Sequence, residues 1–163
     1  MQVPEPQKEH LWLQRLVGEW IFESECSMGP DQPPIKNTGR EVVRSLGGLW
    51  TVGEGESEAP GGGRWLSIMT LGYDPQAKRF VGTFVASVMT RLWVYNGSLD
   101  EAEKVLTLDT EGPSMADDGS LAKYQDIIEF VDDDHHTLSS QFCGPDGQWV
   151  PFMTAHYRRV RAS

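Results

Sequence analysis

The feature of this chain that most limits its fold is a change of period at Gly18, after which side chains alternate in character one by one. In the first such stretch Trp20, Phe22, Ser24, Cys26 and Met28 share one face, and Glu19, Ile21, Glu23 and Glu25 share the other. A period of two belongs to extended strands, whose successive side chains point to opposite sides of a sheet. Further strands are expected at Ile35 to Ser45, Leu49 to Ser57, Arg64 to Tyr73, Arg79 to Ser87 and Arg91 to Leu99, then at Val105 to Glu111, Leu121 to Val131, His136 to Cys143 and Gln148 to Val160. Turn signals punctuate them: Asp74-Pro75, Asn96-Gly97, the run Asp132, Asp133, Asp134, and Gly144-Pro145-Asp146-Gly147.

Only the stretch from about Pro6 to Leu16 reads as a helix, with Leu13, Leu16 and Val17 on one face and Gly18 as its stop. No long helix separates the strands, which favours an antiparallel meander over parallel winding. A meander of about ten strands must protect its edges. Closing into an up-and-down barrel abolishes them and leaves room for a small ligand; a two-sheet sandwich is the alternative. The Gly-rich stretch from Glu58 to Gly63 reads as a flexible connection, so the expectation is one all-β domain over residues 1–163, with the helix at about 6–16 and the barrel at about 18–160.

Composition narrows the partners. The balance of 14 basic against 24 acidic residues gives a net charge of −10, which repels nucleic-acid phosphates and anionic membrane surfaces. Neither is expected as a partner. Cys26 and Cys143 stand apart, without metal spacing or an adjacent secretory leader, and are expected to be reduced thiols in a cytoplasmic protein.

The chain contains 6 Trp, 6 Met, 6 Phe and 4 Tyr, material for a site with apolar walls. Trp50, Met69, Tyr73, Met89, Trp93, Tyr124, Met153 and Tyr157 are the residues expected nearest a cavity. The segments Trp65 to Tyr73 and Arg91 to Tyr95 are apolar on both faces, which implies an outer surface covered by the helix, a loop or a second subunit, so a homodimer is one expected form. No nucleophile motif, P-loop, zinc-protease motif or dinucleotide fingerprint occurs. Asp109 with Glu111, or Asp126 near Tyr124, would supply a proton-transfer group if they faced inward. His135 and His136 follow three aspartates, but neighbours on a strand face opposite ways, so the segment reads as a solvated acidic turn and no metal site is expected. His10 is expected to pack the helix against the barrel end.

Gly18-Glu19-Trp20 at the start and Tyr157-Arg158-Arg159 at the close resemble the signature of calycin barrels, the group containing lipocalins and fatty-acid-binding proteins. Four segments in order, HLWLQRLVGEW (His10 to Trp20), LGGLW (Leu46 to Trp50), TLGYDP (Thr70 to Pro75) and MTAHYRR (Met153 to Arg159), resemble a bacterial family of unknown function, domain-of-unknown-function family 1579. The resemblance implies that Gly18, Trp20 and a basic residue form the closed end of a barrel, with Arg159 or Arg158 stacked on the Trp20 ring. Arg159 is preferred, because it shares parity with Met153, Ala155 and Tyr157, whereas Val150, Phe152 and His156 have the outward parity. A related calycin-like family, the nitrobindins, ligates haem through a histidine near the C-terminus. Here Phe22 and Ser24 stand where that family's motif requires glycines and His156 points outward, so neither haem nor another cofactor is expected.

These readings converge on a calycin-like antiparallel barrel with a short N-terminal helix, binding a small, largely apolar molecule without catalysis. The alternatives are an enzyme of hydrolase or isomerase type using an interior carboxylate or histidine, and an oligomerisation module with an aromatic face.

Overall fold

The computed structural model describes residues 1–27, 29–59 and 61–161; Met28 and Pro60, which the sequence assigns to the first strand and the Gly-rich connection, lie outside the described residues. A short helix α1 (Lys8–Gln14) is followed by β1 (Gly18–Cys26), β2 (Ile35–Leu46), β3 (Trp50–Glu58), β4 (Arg64–Asp74) and β5 (Arg79–Ala86). The second half comprises β6 (Trp93–Leu99), β7 (Val105–Pro113), β8 (Leu121–Asp132), β9 (His135–Cys143) and β10 (Trp149–Arg159). Every strand pairs antiparallel with its sequence neighbours, and β1 also pairs with β10, which closes the barrel. The all-β barrel with one short helix is therefore the fold, and the sandwich is excluded.

Two local expectations change. Asn96-Gly97 is not a turn but the middle of β6, where Asn96 faces Asp109 and Gly97 faces Leu108. A side chain at Gly97 would sit 2.8 Å from Leu108 Cδ2 and 2.9 Å from the Thr107 carbonyl, so glycine serves close strand approach there rather than chain reversal. Phe152 does not stay outside: an irregularity between Pro151 and Met153 shifts the register of β10, and the Phe152 ring reaches Tyr124 at 6.2 Å and Phe142 at 6.0 Å.

The helix lies across one end of the barrel. Leu13 and Leu16 are buried as the helical period requires, but Trp12 is buried too and Leu11 is exposed. Trp12 stands edge-on to Phe130 at 5.1 Å and to Phe80 at 6.3 Å, and its indole N–H donates to the Glu103 carbonyl at 2.7 Å. His10 fixes the helix as expected: its Nδ1 accepts the Gln7 amide at 2.9 Å, and its Nε2–H donates to the Tyr73 carbonyl at 3.0 Å.

At this end Trp20 is fully buried, its indole N–H donating to the Leu16 carbonyl at 2.8 Å and the Arg159 guanidinium lying 4.3 Å from its ring centre. Arg159 also donates to the carbonyls of Val17 at 2.7 Å, Arg15 at 2.9 Å and Asp133 at 2.9 Å. One side chain thus ties the helix exit, the first strand and the β8–β9 turn together. Gly18 has φ of 139°, and a Cβ there would lie 2.4 Å from Arg159 Nη1, so only glycine lets the chain pass beneath the guanidinium. The acidic run is the turn expected of it, with the Asp134 amide donating to Asp132 Oδ1 at 2.8 Å, and Asp134 also pairs with Arg159 at 3.3 Å.

The helix caps the end and does not cover the wall. Leu66, Ile68, Val85 and Val94 remain exposed on the outside of β4, β5 and β6, so the two-sided apolar character of these strands is not answered by α1.

Candidate functional site

Strand alternation sends one set of side chains into the barrel, and their burial divides the interior into two halves. The half beneath α1 is sealed by Leu13, Trp20, Leu71, Phe80, Leu106 and Leu108, each at 2 % exposure or less. Toward the other end Phe22, Ser24, Asn37, Ser57, Ser67, Met69, Phe84, Trp93, Phe142 and Met153 keep accessible surface although they share the inward parity. The floor is packed, and the inward side chains of the upper half are less tightly enclosed.

Polar groups gather at the boundary between the halves. On β8, Asp126 accepts the Ser140 hydroxyl from β9 at 2.6 Å and the Tyr95 hydroxyl from β6. Burial raises the Asp126 carboxyl above its ordinary value, and the two hydroxyl hydrogen bonds oppose that rise. Burial chiefly, with the neighbouring Asp126 charge, pushes the Tyr95 hydroxyl well up. Tyr157 on β10 is raised in the same direction, by burial first and then by the charges of Glu41 and Asp126.

Glu41 on β2 faces the same space. It lies over Gly53, where an added Cβ would be 3.0 Å from Glu41 Oε2. Burial alone, with no compensating charge or hydrogen bond, pushes its carboxyl up to about 7. The residue nevertheless retains accessible surface, so it faces interior space rather than packed side chains. Beneath it His136 stacks on Tyr157 at 4.7 Å with planes 7° apart and meets the edge of Trp20 at 4.4 Å. Burial, followed by the charges of Arg159 and His135, lowers the His136 imidazole to about 3.

The residues expected nearest a cavity separate into groups. Met69, Trp93, Tyr124, Met153 and Tyr157 face the interior. Trp93 lies over Gly112, whose hypothetical Cβ would be 2.0 Å from the indole, and stands edge-on to Tyr124 at 5.2 Å. Met89 belongs to the β5–β6 connection at the rim, its sulfur accepting the Trp93 indole N–H at 3.1 Å. Tyr73 points inward at the sealed end, 5.0 Å from Phe80 and 5.7 Å from His10, and so belongs to the floor. Trp50 must be corrected: it lies outside, its ring over Gly72, because the inward residues of that strand pair are Thr51 and Leu71.

Among the carboxylates, Asp109 and Glu111 are exposed on the outer face, because Leu108 and Thr110 hold the inward parity of β7. The alternative in which they form an interior acid/base pair is therefore excluded by their outward direction. Asp126 is interior, but its hydroxyl partners are Tyr95 and Ser140 rather than Tyr124, which donates instead to the Pro113 carbonyl. Glu41, Tyr95 and Ser140 were not singled out from sequence. The β1–β2 register sets Asn37, Gly39, Glu41 and Val43 on the same face as Trp20 and Phe22 and so turns Glu41 inward. His156 faces out and shares a hydrogen bond with His135 at 3.0 Å. Both cysteines are free thiols. Among the described residues no cluster of three or more metal-ligating side chains occurs, and no helix is long and apolar enough to cross a membrane.

The wall of the upper half has a break in its hydrogen-bond ladder. β6 and β7 pair only from Asn96 to Leu99 against Leu106 to Asp109; beyond Asn96 and Asp109 the ladder stops. A cleft of about 600 Å³ occupies that wedge, lined by Val94, Asn96, Asp109, Glu111 and Lys123 and by the inward residues Thr110 and Tyr124. The Thr110 hydroxyl is buried there without a hydrogen-bond partner.

Comparison with known proteins agrees with this architecture. The sequence profile of a protein family of unknown function, DUF1579, matches residues 5–159. Rv2717c from M. tuberculosis superposes with a TM-score of 0.60 at 14 % identity, over 96 % of this chain and 100 % of that one. An S-type phycobiliprotein lyase from Guillardia theta superposes with a TM-score of 0.59 at 13 % identity, over 98 % of this chain and 100 % of that one. At such identities the likeness is one of fold. No curated protein matches the chain in sequence.

Proposed function

We propose that the chain, which belongs to the DUF1579 family and takes no function from its fold alone, binds a small, largely apolar molecule in the upper half of its barrel. The supporting observation is the unequal packing of the interior: the floor is closed by α1 and Trp20, while the aromatic and methionine side chains above it keep accessible surface. Apolar walls around a few convergent polar groups make a small-molecule site. Trp93, Met69 and Met153 supply the walls, and Asp126 with its tyrosine and serine donors supplies the fixed polar groups. Methionine's flexible thioether lets such walls fit more than one shape. The wedge between β6 and β7 offers a lateral way in. A barrel of this shape is also found in the phycobiliprotein lyase.

Two measurements test this reading. Native mass spectrometry of freshly purified protein should show an added mass that is lost on denaturation. The stripped protein should then take up the neutral dye Nile red with a blue-shifted, saturable emission. A protein that carries no added mass and takes up no dye has a filled barrel, and the reading fails.

A further inference from the structure

We infer that the ligand carries a protonated amine, and that Glu41 is the group that recognises it. The inference rests on the interior binding just proposed and adds the chemical class of the ligand's polar end.

Glu41 sits above the packed floor, on the inner face of β2 beside Trp20 and Phe22 of β1. From β3 the facing residues are Gly53 and Gly55, neither of which can donate a side-chain hydrogen bond, and Gly53 leaves the room the carboxyl occupies. The other titratable groups turned toward this space are Tyr157 on β10, Asp126 on β8, Tyr95 on β6 and His136 on β9. Asp126 is already served by two hydroxyl donors. Among the described inward residues the only cation is Arg159, held by backbone carbonyls at the sealed end.

A largely buried carboxyl without a hydrogen-bond partner is costly to keep ionised. The barrel therefore presents an unpaired acceptor, beneath apolar walls, with no interior cation free to meet an anion. A fatty carboxylate would meet two acids. An amphiphile ending in an ammonium group would supply the missing donor and charge, and its apolar body would lie against Met69, Phe84 and Trp93.

The test is displacement of Nile red from the stripped protein by decylamine, decanol and decanoate, which share a chain and differ in head group. At about pH 8, above the Glu41 titration near 7, decylamine should bind at least about tenfold more tightly than decanol, as a charge-assisted hydrogen bond implies, and decanoate should bind most weakly. The amine-to-alcohol ratio should collapse in Glu41→Gln, whose folding is checked by its thermal transition. It should also collapse in the unmodified protein at about pH 5, where Glu41 is protonated and the amine is not changed, so the result does not depend on the variant. If the dye binds and decanol or decanoate displaces it as well as decylamine does, the amine assignment is wrong and interior binding stands. If neither dye nor any of the three enters the barrel, interior binding falls and the amine assignment with it.

Discussion

Glu41 and His136 face one interior and should drive stability in opposite directions with pH. The Glu41 carboxyl titrates near 7 in the folded chain against an ordinary value of 4.5, so the native state holds a proton that the unfolded state has released. Stability from this group is full below about pH 4.5 and lost as pH rises through 7, a total of about 3 kcal/mol. His136 has the reverse sense. Its folded value near 3 lies below the ordinary 6.5, so stability is full above about pH 6.5 and lost as pH falls toward 3, by about 4 kcal/mol. Denaturant unfolding as a function of pH should give a nearly level profile between about pH 4.5 and 6.5, where the two effects offset. Glu41→Gln should be more stable than the parent at pH 8 and should lose stability steadily below about pH 6.5; His136→Phe, which keeps the stack on Tyr157, should show the opposite slope. Parallel profiles for all three proteins would contradict this assignment. These residues also mark what sequence reading missed. Asp126 was legible as a carboxylate on a strand beside aromatic residues, but Glu41 stood among the many solvated glutamates of an acidic chain. Its inward direction depends on the β1–β2 register, which no single strand reveals.

At the scale of elements, the Trp20 and Arg159 contact joins α1, β1, β10 and the β8–β9 turn. Trp20→Ala should cost about 3–5 kcal/mol, since a fully buried ring and its hydrogen bond are lost together; a cost below about 1 kcal/mol by chemical unfolding would contradict the placement. Arg159→Lys keeps the charge but cannot reach three carbonyls in one plane. Hydrogen exchange should therefore rise in α1 and at the β8–β9 turn while β4 and β5 are unaffected. Asp133→Asn should change stability little, because the backbone carbonyl of Asp133 receives Arg159 and its side chain reaches only Arg15 at the surface. The strands themselves were legible in sequence, because period two is plain in β1, β2 and β7 and turn residues mark off several of the others. Two things were not: Asn96-Gly97 carries a hairpin signature but is held in a strand by its neighbours, and Trp12 breaks the helical pattern yet plugs the barrel because the end of a barrel buries more than one helical face.

For the whole molecule, the sealed floor and the less tightly enclosed upper half predict a gradient of local stability. Amides near Trp20, Leu71 and Leu106 should exchange only by global unfolding, whereas those of β6 and β7 beyond Asn96 and Asp109, where the ladder ends, should exchange through local opening. Mass-resolved hydrogen exchange can separate the two, and a bound ligand should slow exchange only in the upper half. Uniform protection along β6 and β7 would mean that the wedge is shut in solution.

Closure by Arg159 also bears on how the chain reaches this state. Nine of the ten ladders join consecutive strands and can form as hairpins from local contacts, whereas the tenth joins β1 to β10. Arg159 contacts the Val17 carbonyl across 142 positions, so synthesis must reach β10 before β1 acquires its second neighbour. Until then β1 presents an unpaired edge and the α1 anchor is absent. Folding should accordingly divide into fast formation of the meander and a slower, entropically costly ring closure. The side chain that seals the finished barrel is thus also the one that sets when the nascent chain stops being open to edge-to-edge association.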